Sequence, residues 1–342
     1  MINNILLICS FFFSFYLLIK SKFIRRWFLD DEFIKIQSFH KKSTPTIGGL
    51  MIILNLLVFV VFINSDILNL KILILFGVAN FLIGSLDDLR LIRSPFIRFF
   101  IIIFLNLIII LIFDFNIKYF GIFFLDYINE FIFFKFFLVL FALFFIINGA
   151  NLVDGFNGLL AIHAFIILIL LKLIMGPVYY DNMELKNYID ALIILIFCFL
   201  LLNFPKAKIF LGDGGAYFLG SQISIISILI FNTSNNISPF FIAIILSYLF
   251  IELFFSVFRK IFQKKNPFLP DGIHLHMLIF YKINQKYLNA NPKTGFLINL
   301  GYLIIVLPSL IYFDNNLYCM IHFFLIILIY LSIYYLLKKN II

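Results

Sequence analysis

Residues Phe131–Ile147 read FIFFKFFLVLFALFFII and residues Leu159–Met175 read LLAIHAFIILILLKLIM, with the polar stretch NGANLVDGFNG (Asn148–Gly158) between them. Each apolar run approaches the ~20 residues that cross a bilayer as a helix. The segment joining them carries three glycines, three asparagines and an aspartate. A plain helix hairpin has no use for that many side-chain amides. The pattern predicts two membrane helices meeting at a chemically equipped turn.

The rest of the chain follows the same plan. Of its 342 residues, 64% are hydrophobic, 13% charged and 20% aromatic. Soluble domains average roughly 45–50% apolar and about 25% charged residues, and a soluble fold must still cover itself with polar surface. The composition therefore excludes a cytosolic enzyme, a disulfide scaffold and a disordered chain. Further apolar runs fall at Asn4–Ile19, Ile47–Ile63, Leu68–Leu86, Phe96–Phe113, Tyr188–Leu202, Ala216–Phe231, Ile237–Phe258, Thr294–Tyr312 and Leu317–Leu337. The expected fold is all-α: a polytopic integral membrane protein of about eleven transmembrane helices, in one domain over residues 1–342. Ile117–Leu125 is apolar but too short to cross, and reads as a surface or re-entrant piece. The runs are continuous rather than alternating, which excludes a β-barrel. The first run has no basic leader or small-residue cleavage site, so an uncleaved anchor is expected.

Net charge is +9, and its distribution argues for orientation rather than nucleic-acid binding. Most of the 26 Lys and Arg residues sit in alternate loops, at 20–42, 90–98, 206–208 and 259–293, and in the tail at Lys338 and Lys339. The positive-inside rule then places the amino terminus outside and the carboxy terminus in the cytoplasm, as an odd number of spans requires. Cys9, Cys198 and Cys319 lie far apart in apolar runs, without disulfide or zinc spacing.

Five polar clusters fall on that cytoplasmic side. His40–Gly49 places lysines, among them Lys42, beside Thr46 and a Gly-Gly entry to a span, which suits an anionic headgroup or diphosphate; contact with anionic lipid is the simpler alternative. Asp87 and Asp88 put two carboxylates at a helix C-terminus, where the dipole is already negative, so a cation is required: Mg²⁺, or Arg90, Arg93 and Arg98. Asn148–Leu159 ends in a helix N-terminus, whose free N–H groups favour phosphate. Asn203–Gly215 repeats that arrangement with Asp213, Lys206 and Lys208, and with Phe210 available for stacking on a base. Pro267–His276 adds Asp271, His274 and His276. Asp87, Asp88, Asp154 and Asp213 thus gather with cations, which suggests a divalent metal and a phosphorylated substrate. A transporter or lipid flippase is the alternative from another class, but it would place ionisable residues nearer the bilayer midplane.

In order and in type, these clusters resemble the polyprenyl-phosphate N-acetylhexosamine-1-phosphate transferases (glycosyltransferase family 4). The family includes the enzymes that initiate O-antigen and related polysaccharides and the phospho-N-acetylmuramoyl-pentapeptide transferase of peptidoglycan synthesis. The Asp pair, the N-x-x-N-x-x-D-G-x-x-G-L segment, the F-L-G-D-G-G segment and the H-x-H loop carry the resemblance. It implies transfer of a sugar-1-phosphate from a UDP-N-acetylhexosamine to undecaprenyl phosphate with release of UMP, in the bacterial inner membrane and among its lipids, using Mg²⁺ (or Mn²⁺). It implies Asp213 as the principal metal ligand with Asp87 and Asp88 assisting the metal or the attacking phosphate. Asn151 and Asp154 fall at nucleotide-sugar and active-site contacts, Leu152, Asn203 and Phe210 where the family holds uracil, and His274 and His276 near the diphosphate and sugar. Lys42, Thr46 and Asn157 complete the expected substrate-binding set, and a homodimer is left open. Departures bear on the substrate: Leu275 separates two histidines where the pentapeptide transferase has three in a row, Asn157 stands for its Asp, Gly272 replaces an Arg of the polysaccharide branch, and Glu252 replaces an Asp common in span nine. FLGDGGAY (Phe210–Tyr217) and Pro270–His276 lean toward the polysaccharide branch, with the pentapeptide transferase as alternative.

Overall fold

The computed structural model describes residues 2–22, 28–30, 43–63, 68–89, 91–92, 94–175, 183–234, 236–269 and 271–341. Lipid offers backbone groups no hydrogen-bond partner, so continuous apolar runs become helices that satisfy their own N–H and C=O groups. The helices are α1 (Ile2–Lys20), α2 (Gly48–Ile63), α3 (Leu68–Asp88), α4 (Pro95–Ile112), α5 (Phe123–Asn129), α6 (Ile132–Val153), α7 (Leu159–Ile174) and α8 (Met183–Asn203). They continue as α9 (Gly212–Thr233), α10 (Pro239–Ile245), α11 (Ser247–Phe262), α12 (Leu275–Asn284), α13 (Ala290–Val306) and α14 (Asn316–Ile341). Eight helical stretches of the described residues are long and apolar enough to cross a membrane, and three shorter apolar helices, Asn4–Lys20, Gly48–Val61 and Leu159–Ile174, join them. Each of the expected spans corresponds to one of these. This is a multi-pass, all-α membrane protein.

The centre of the bundle is α9, buried from Gly214 to Phe231. It packs on α2, α3, α6 and α7. Small residues allow the closest approaches: a Cβ on Gly84 would stand 2.4 Å from the Asp213 carbonyl, and one on Gly214 would stand 2.5 Å from Ser85 Oγ. Polar side chains within the bundle pair with one another, as interior groups must. Asn80 of α3 donates to Asn106 of α4 at 2.9 Å. Tyr188 of α8 donates to Gln222 of α9 at 2.5 Å, and Gln222 donates on to the Leu73 carbonyl at 3.0 Å.

The element ends differ from the sequence reading in an informative way. Asn148–Val153 forms the last turns of α6 rather than a loop, which leaves only 154–158 to turn the chain, with Gly158 at φ +74°. Helix α9 starts at Gly212, so Asp213 lies in its first turn. The histidine segment opens α12, with His274 at its N-cap. The ninth span breaks at Leu246 (φ −90°, ψ 0°) into α10 and α11, and Tyr302 of α13 donates to the Ile245 carbonyl there at 2.6 Å. A two-residue antiparallel ribbon, β1 (Leu29–Asp30) with β2 (Thr44–Pro45), sits just before α2.

Candidate active site

The site is organised by contact between the end of α3 and the start of α9. The first N–H groups of a helix have no partner inside it, and the end carries partial positive charge. Asp88 supplies the partner from another helix: its Oδ1 accepts from the Asp213 N–H at 2.9 Å and its Oδ2 from the Gly214 N–H at 3.0 Å. Gly212 makes the approach possible. Its φ is +79°, and a Cβ there would stand 2.9 Å from Asp88 Oδ2 and 3.1 Å from the Thr46 carbonyl. The strand before α2 is laced to the same place, because Phe210 N–H donates to the Pro45 carbonyl at 2.8 Å and Gly48 N–H to the Phe210 carbonyl at 2.8 Å.

With its backbone fixed, the Asp213 side chain points into open space. It is 41% exposed, against 23% for Asp87. Asn151, on the last turn of α6, donates to Asp213 Oδ1 at 2.9 Å. Arg98, in the first turns of α4, pairs with Asp87 and stands 3.8 Å from Asp213 Oδ2. Asp154 caps α6 beside them. Its burial, then the Asp213 and Asp88 carboxylates, push its carboxyl up to about 8. This is an excess of negative charge that Arg98 alone does not offset.

A divalent cation fits that excess. Among the described residues no group of three or more His, Cys, Asp or Glu side chains is placed to hold a metal ion unaided. Mg²⁺ does not need such a cage, since it commonly takes one or two carboxylates and completes its shell with substrate phosphates and water. The exposed Asp213 carboxylate, with Asp154 adjacent, meets that requirement.

The remaining expected residues surround this pole. Asn203 spends its amide on the scaffold: Oδ1 accepts the Gly158 N–H at 2.6 Å and Nδ2 donates to the Ile209 carbonyl at 2.9 Å. Asn157 Nδ2 donates to the Pro205 carbonyl at 3.0 Å, and Thr46 Oγ1 donates to the Phe28 carbonyl at 3.3 Å. Lys42, Arg90 and Arg93 lie outside the described residues. His274 and His276 stack in parallel, ring centroids 5.4 Å apart with 1° between the planes. Glu252 Oε1 is 3.3 Å from His274 Nδ1, and Asp271, paired with Arg259 at 2.9 Å, is 3.2 Å from His274 Nε2.

One cavity of about 1180 Å³ joins these groups. Thr46, Asp87, Asp88, Asn151, Leu152, Asp154, Asn157, Asn203, Phe210, Asp213, His274 and His276 all line it. The same cavity runs on between α4, α6 and α11, where Phe99, Ile103, Leu140, Phe144, Leu253 and Val257 make its wall apolar. A polar pole thus opens into a hydrocarbon-lined arm.

The family model described as Glycosyl transferase family 4 matches residues 70–231. The phospho-N-acetylmuramoyl-pentapeptide-transferase of Dictyoglomus thermophilum is 33% identical over 249 residues, spanning 70% of this chain and 75% of that protein. The chain belongs to glycosyl transferase family 4. The undecaprenyl-phosphate alpha-N-acetylglucosaminyl 1-phosphate transferase of Thermotoga maritima is 29% identical over 250 residues, covering 72% of this chain and 71% of its own. A probable undecaprenyl-phosphate N-acetylglucosaminyl 1-phosphate transferase of Bacillus subtilis is 34% identical over a shorter 137 residues, 38% of this chain and 36% of that protein.

In this member of glycosyl transferase family 4, three groups at the cavity escaped the sequence reading. Lys260 is 6% exposed, lines the cavity and donates to the Leu269 carbonyl at 2.7 Å and the Pro267 carbonyl at 3.2 Å. In the sequence it was one more basic residue of an orientation signal. Asn291, at the start of α13, accepts from the Asn157 N–H at 2.8 Å through Oδ1. Tyr217, one turn beyond Asp213, also lines the cavity. Asn291 has no sequence signal, because a single polar residue at a span entrance is common, and Tyr217 carries none beyond its place at the end of FLGDGGAY.

Proposed function

We propose that this protein transfers an N-acetylhexosamine-1-phosphate from a UDP-sugar to undecaprenyl phosphate, forming the polyprenyl-diphosphate sugar and UMP, as the first membrane step of O-antigen or another surface polysaccharide. One observation carries the reading: a carboxylate-lined pole and an apolar arm belong to a single cavity. A polar nucleotide-sugar and a lipid phosphate need both environments at once. Family membership and the names of the relatives support the chemistry.

In this reading the isoprenoid chain lies along Phe99, Ile103, Leu140, Phe144, Leu253 and Val257, which brings its phosphate to Arg98 at the mouth of the polar pole. The diphosphate lies across Asp213 and the start of α9. Mg²⁺, held by Asp213 with Asp154 and Asp87 nearby, would supply charge neutralisation for the diphosphate and the departing UMP. Asn151 keeps the Asp213 carboxylate aimed, and Asp88 keeps its backbone in place. A polyprenyl phosphate is already ionised near neutral pH, so its oxygen attacks the sugar-linked phosphorus in line without a strong base. Phe210 and Leu152, both in the cavity wall, would pack against the uracil ring. The polar end of the bundle faces the cytoplasm of a bacterial inner membrane, with the amino terminus outside, in accord with the loop charges.

The pentapeptide transferase remains the second reading, because relatives with that name reach 33% identity. Purified protein with MgCl₂, undecaprenyl phosphate and a panel of UDP-N-acetylglucosamine, UDP-N-acetylgalactosamine and UDP-N-acetylmuramoyl-pentapeptide separates the two. Release of UMP with lipid-linked aminosugar supports the proposal. Turnover of the pentapeptide donor alone supports the second reading, and no turnover of any donor refutes both.

A further inference from the structure

We propose that Glu252 is a positioning residue for the transfer reaction, holding the start of α12 and facing His276 Nδ1 so that His276 Nε2 is presented to the bound sugar diphosphate. This rests on the transferase reading above and adds a division of labour between the two histidines.

Glu252 sits on α11 among apolar helices and is 1% exposed. A buried carboxylate is strongly unfavourable unless charges or N–H donors compensate it. Nearly every partner of this one belongs to the histidine segment. Oε1 accepts the Leu275 N–H at 2.9 Å, one of the N–H groups that the first turn of α12 cannot satisfy internally. The same oxygen faces His274 Nδ1 at 3.3 Å and His276 Nδ1 at 3.6 Å. Oε2 accepts the Tyr330 O–H of α14 at 2.9 Å. One carboxylate therefore caps α12, orients His274 and ties both to the last helix.

The two imidazoles end up unlike each other. His274 has a carboxylate oxygen near each ring nitrogen, Glu252 at Nδ1 and Asp271 at Nε2, although Nε2 makes no aligned hydrogen bond. It is held in place and has little left to offer a substrate. His276 is fully buried, lies between the His274 ring and the edge of Phe156 at 5.9 Å, and has no hydrogen-bond partner at either ring nitrogen. Buried polar atoms are almost always paired. With Nδ1 turned toward Glu252, Nε2 is the nitrogen left for a ligand at the cavity wall, where an N–H suits a phosphate or sugar oxygen. Glu252 does not line the cavity, so it acts through the ring it positions.

Two measurements on the full chain in phosphatidylglycerol nanodiscs test this. In the first, UMP release from UDP-N-acetylglucosamine and undecaprenyl phosphate is followed for E252Q, H276Q and the double variant. E252Q and H276Q are each expected to lower kcat about tenfold or more, with KM for undecaprenyl phosphate within about threefold. In the H276Q background, E252Q should cost less than about threefold more, because it acts through a ring already removed. Multiplying losses, or an E252Q enzyme retaining more than about half its kcat, would overturn the proposal. The second measurement needs no turnover: hydrogen exchange of the 271–280 backbone should quicken about tenfold in E252A and E252Q while α9 is unchanged. Unchanged exchange in that segment overturns the positioning role even if the transferase reading stands. Faster exchange in a chain that turns over no donor leaves the positioning intact and removes only the proposed reaction.

Discussion

Arg98 of α4 is paired with Asp87 and stands 3.8 Å from Asp213, so one guanidinium lies between the two carboxylates. It is a resident counter-charge. Removing it in R98A leaves the carboxylates uncompensated and should tighten Mn²⁺ binding by about tenfold, measured by electron paramagnetic resonance on the free protein. Turnover should move the other way and fall about 100-fold, because the lipid phosphate loses its cation. Weaker Mn²⁺ binding in R98A would show that Arg98 assists the metal instead of competing with it.

Asp88 and Asp213 should separate in their failures. Hydrogen bonds to a charged group contribute about 1.5–3 kcal/mol, and Asp88 makes two to the first turn of α9. D88N is therefore expected to lower thermal stability by about 2 kcal/mol as well as activity. D213N should abolish UMP release with an unchanged melting temperature, since its side chain faces the cavity. Equal loss of stability in both variants would contradict the separate roles.

The contact of α2 with α9 tolerates no side chain. A Cβ on Gly49 would stand 2.2 Å from Gly215 Cα, and the obstacle is backbone that cannot rotate away. G49A should destabilise the bundle by about 1–3 kcal/mol and lower activity. G301A, where a Cβ meets nothing within 4 Å, is the control and should behave as wild type in the same melting assay.

The pH dependence of stability follows from His276. Burial, opposed by Glu252 and reinforced by His274, lowers its imidazole to about 4, below the ordinary value near 6.5. The unfolded chain gains a proton near pH 6.5 and the folded chain does not until pH 4. The stability contribution is whole above pH 6.5 and declines as pH falls toward 4, by up to about 3 kcal/mol. Melting temperatures between pH 7 and 4 should drop more steeply in wild type than in H276Q. Parallel curves would rule out His276 as the source.

The spans were legible because lipid leaves so few options: a long apolar run without breaks must be helical. The residues that line the cavity were legible for a related reason, since Asp, Asn and His at span ends stand out in a chain this apolar. What could not be read was how those residues divide their bonds. Asn203 lines the cavity, and its amide also ties Gly158 to Ile209. Asp87 and Asp88 are adjacent in sequence, but one faces Arg98 and the other caps a distant helix. Lys260 and Asn291 acquire their places only through tertiary packing, which no local pattern encodes. At the break near Leu246, likewise, the Ile245 carbonyl accepts from Tyr302, 57 positions later.

The helix that carries Asp213 is enclosed by protein along its membrane-spanning length, whereas only 22% of α4 and 17% of α14 is buried. Lipids of differing thickness or fluidity press on that outer ring, where tilting relieves mismatch at fractions of a kcal/mol per Å. The chemical centre is thus insulated from the surrounding bilayer, and in the proposed reaction the acceptor's own hydrocarbon tail would meet it through the cavity's apolar arm.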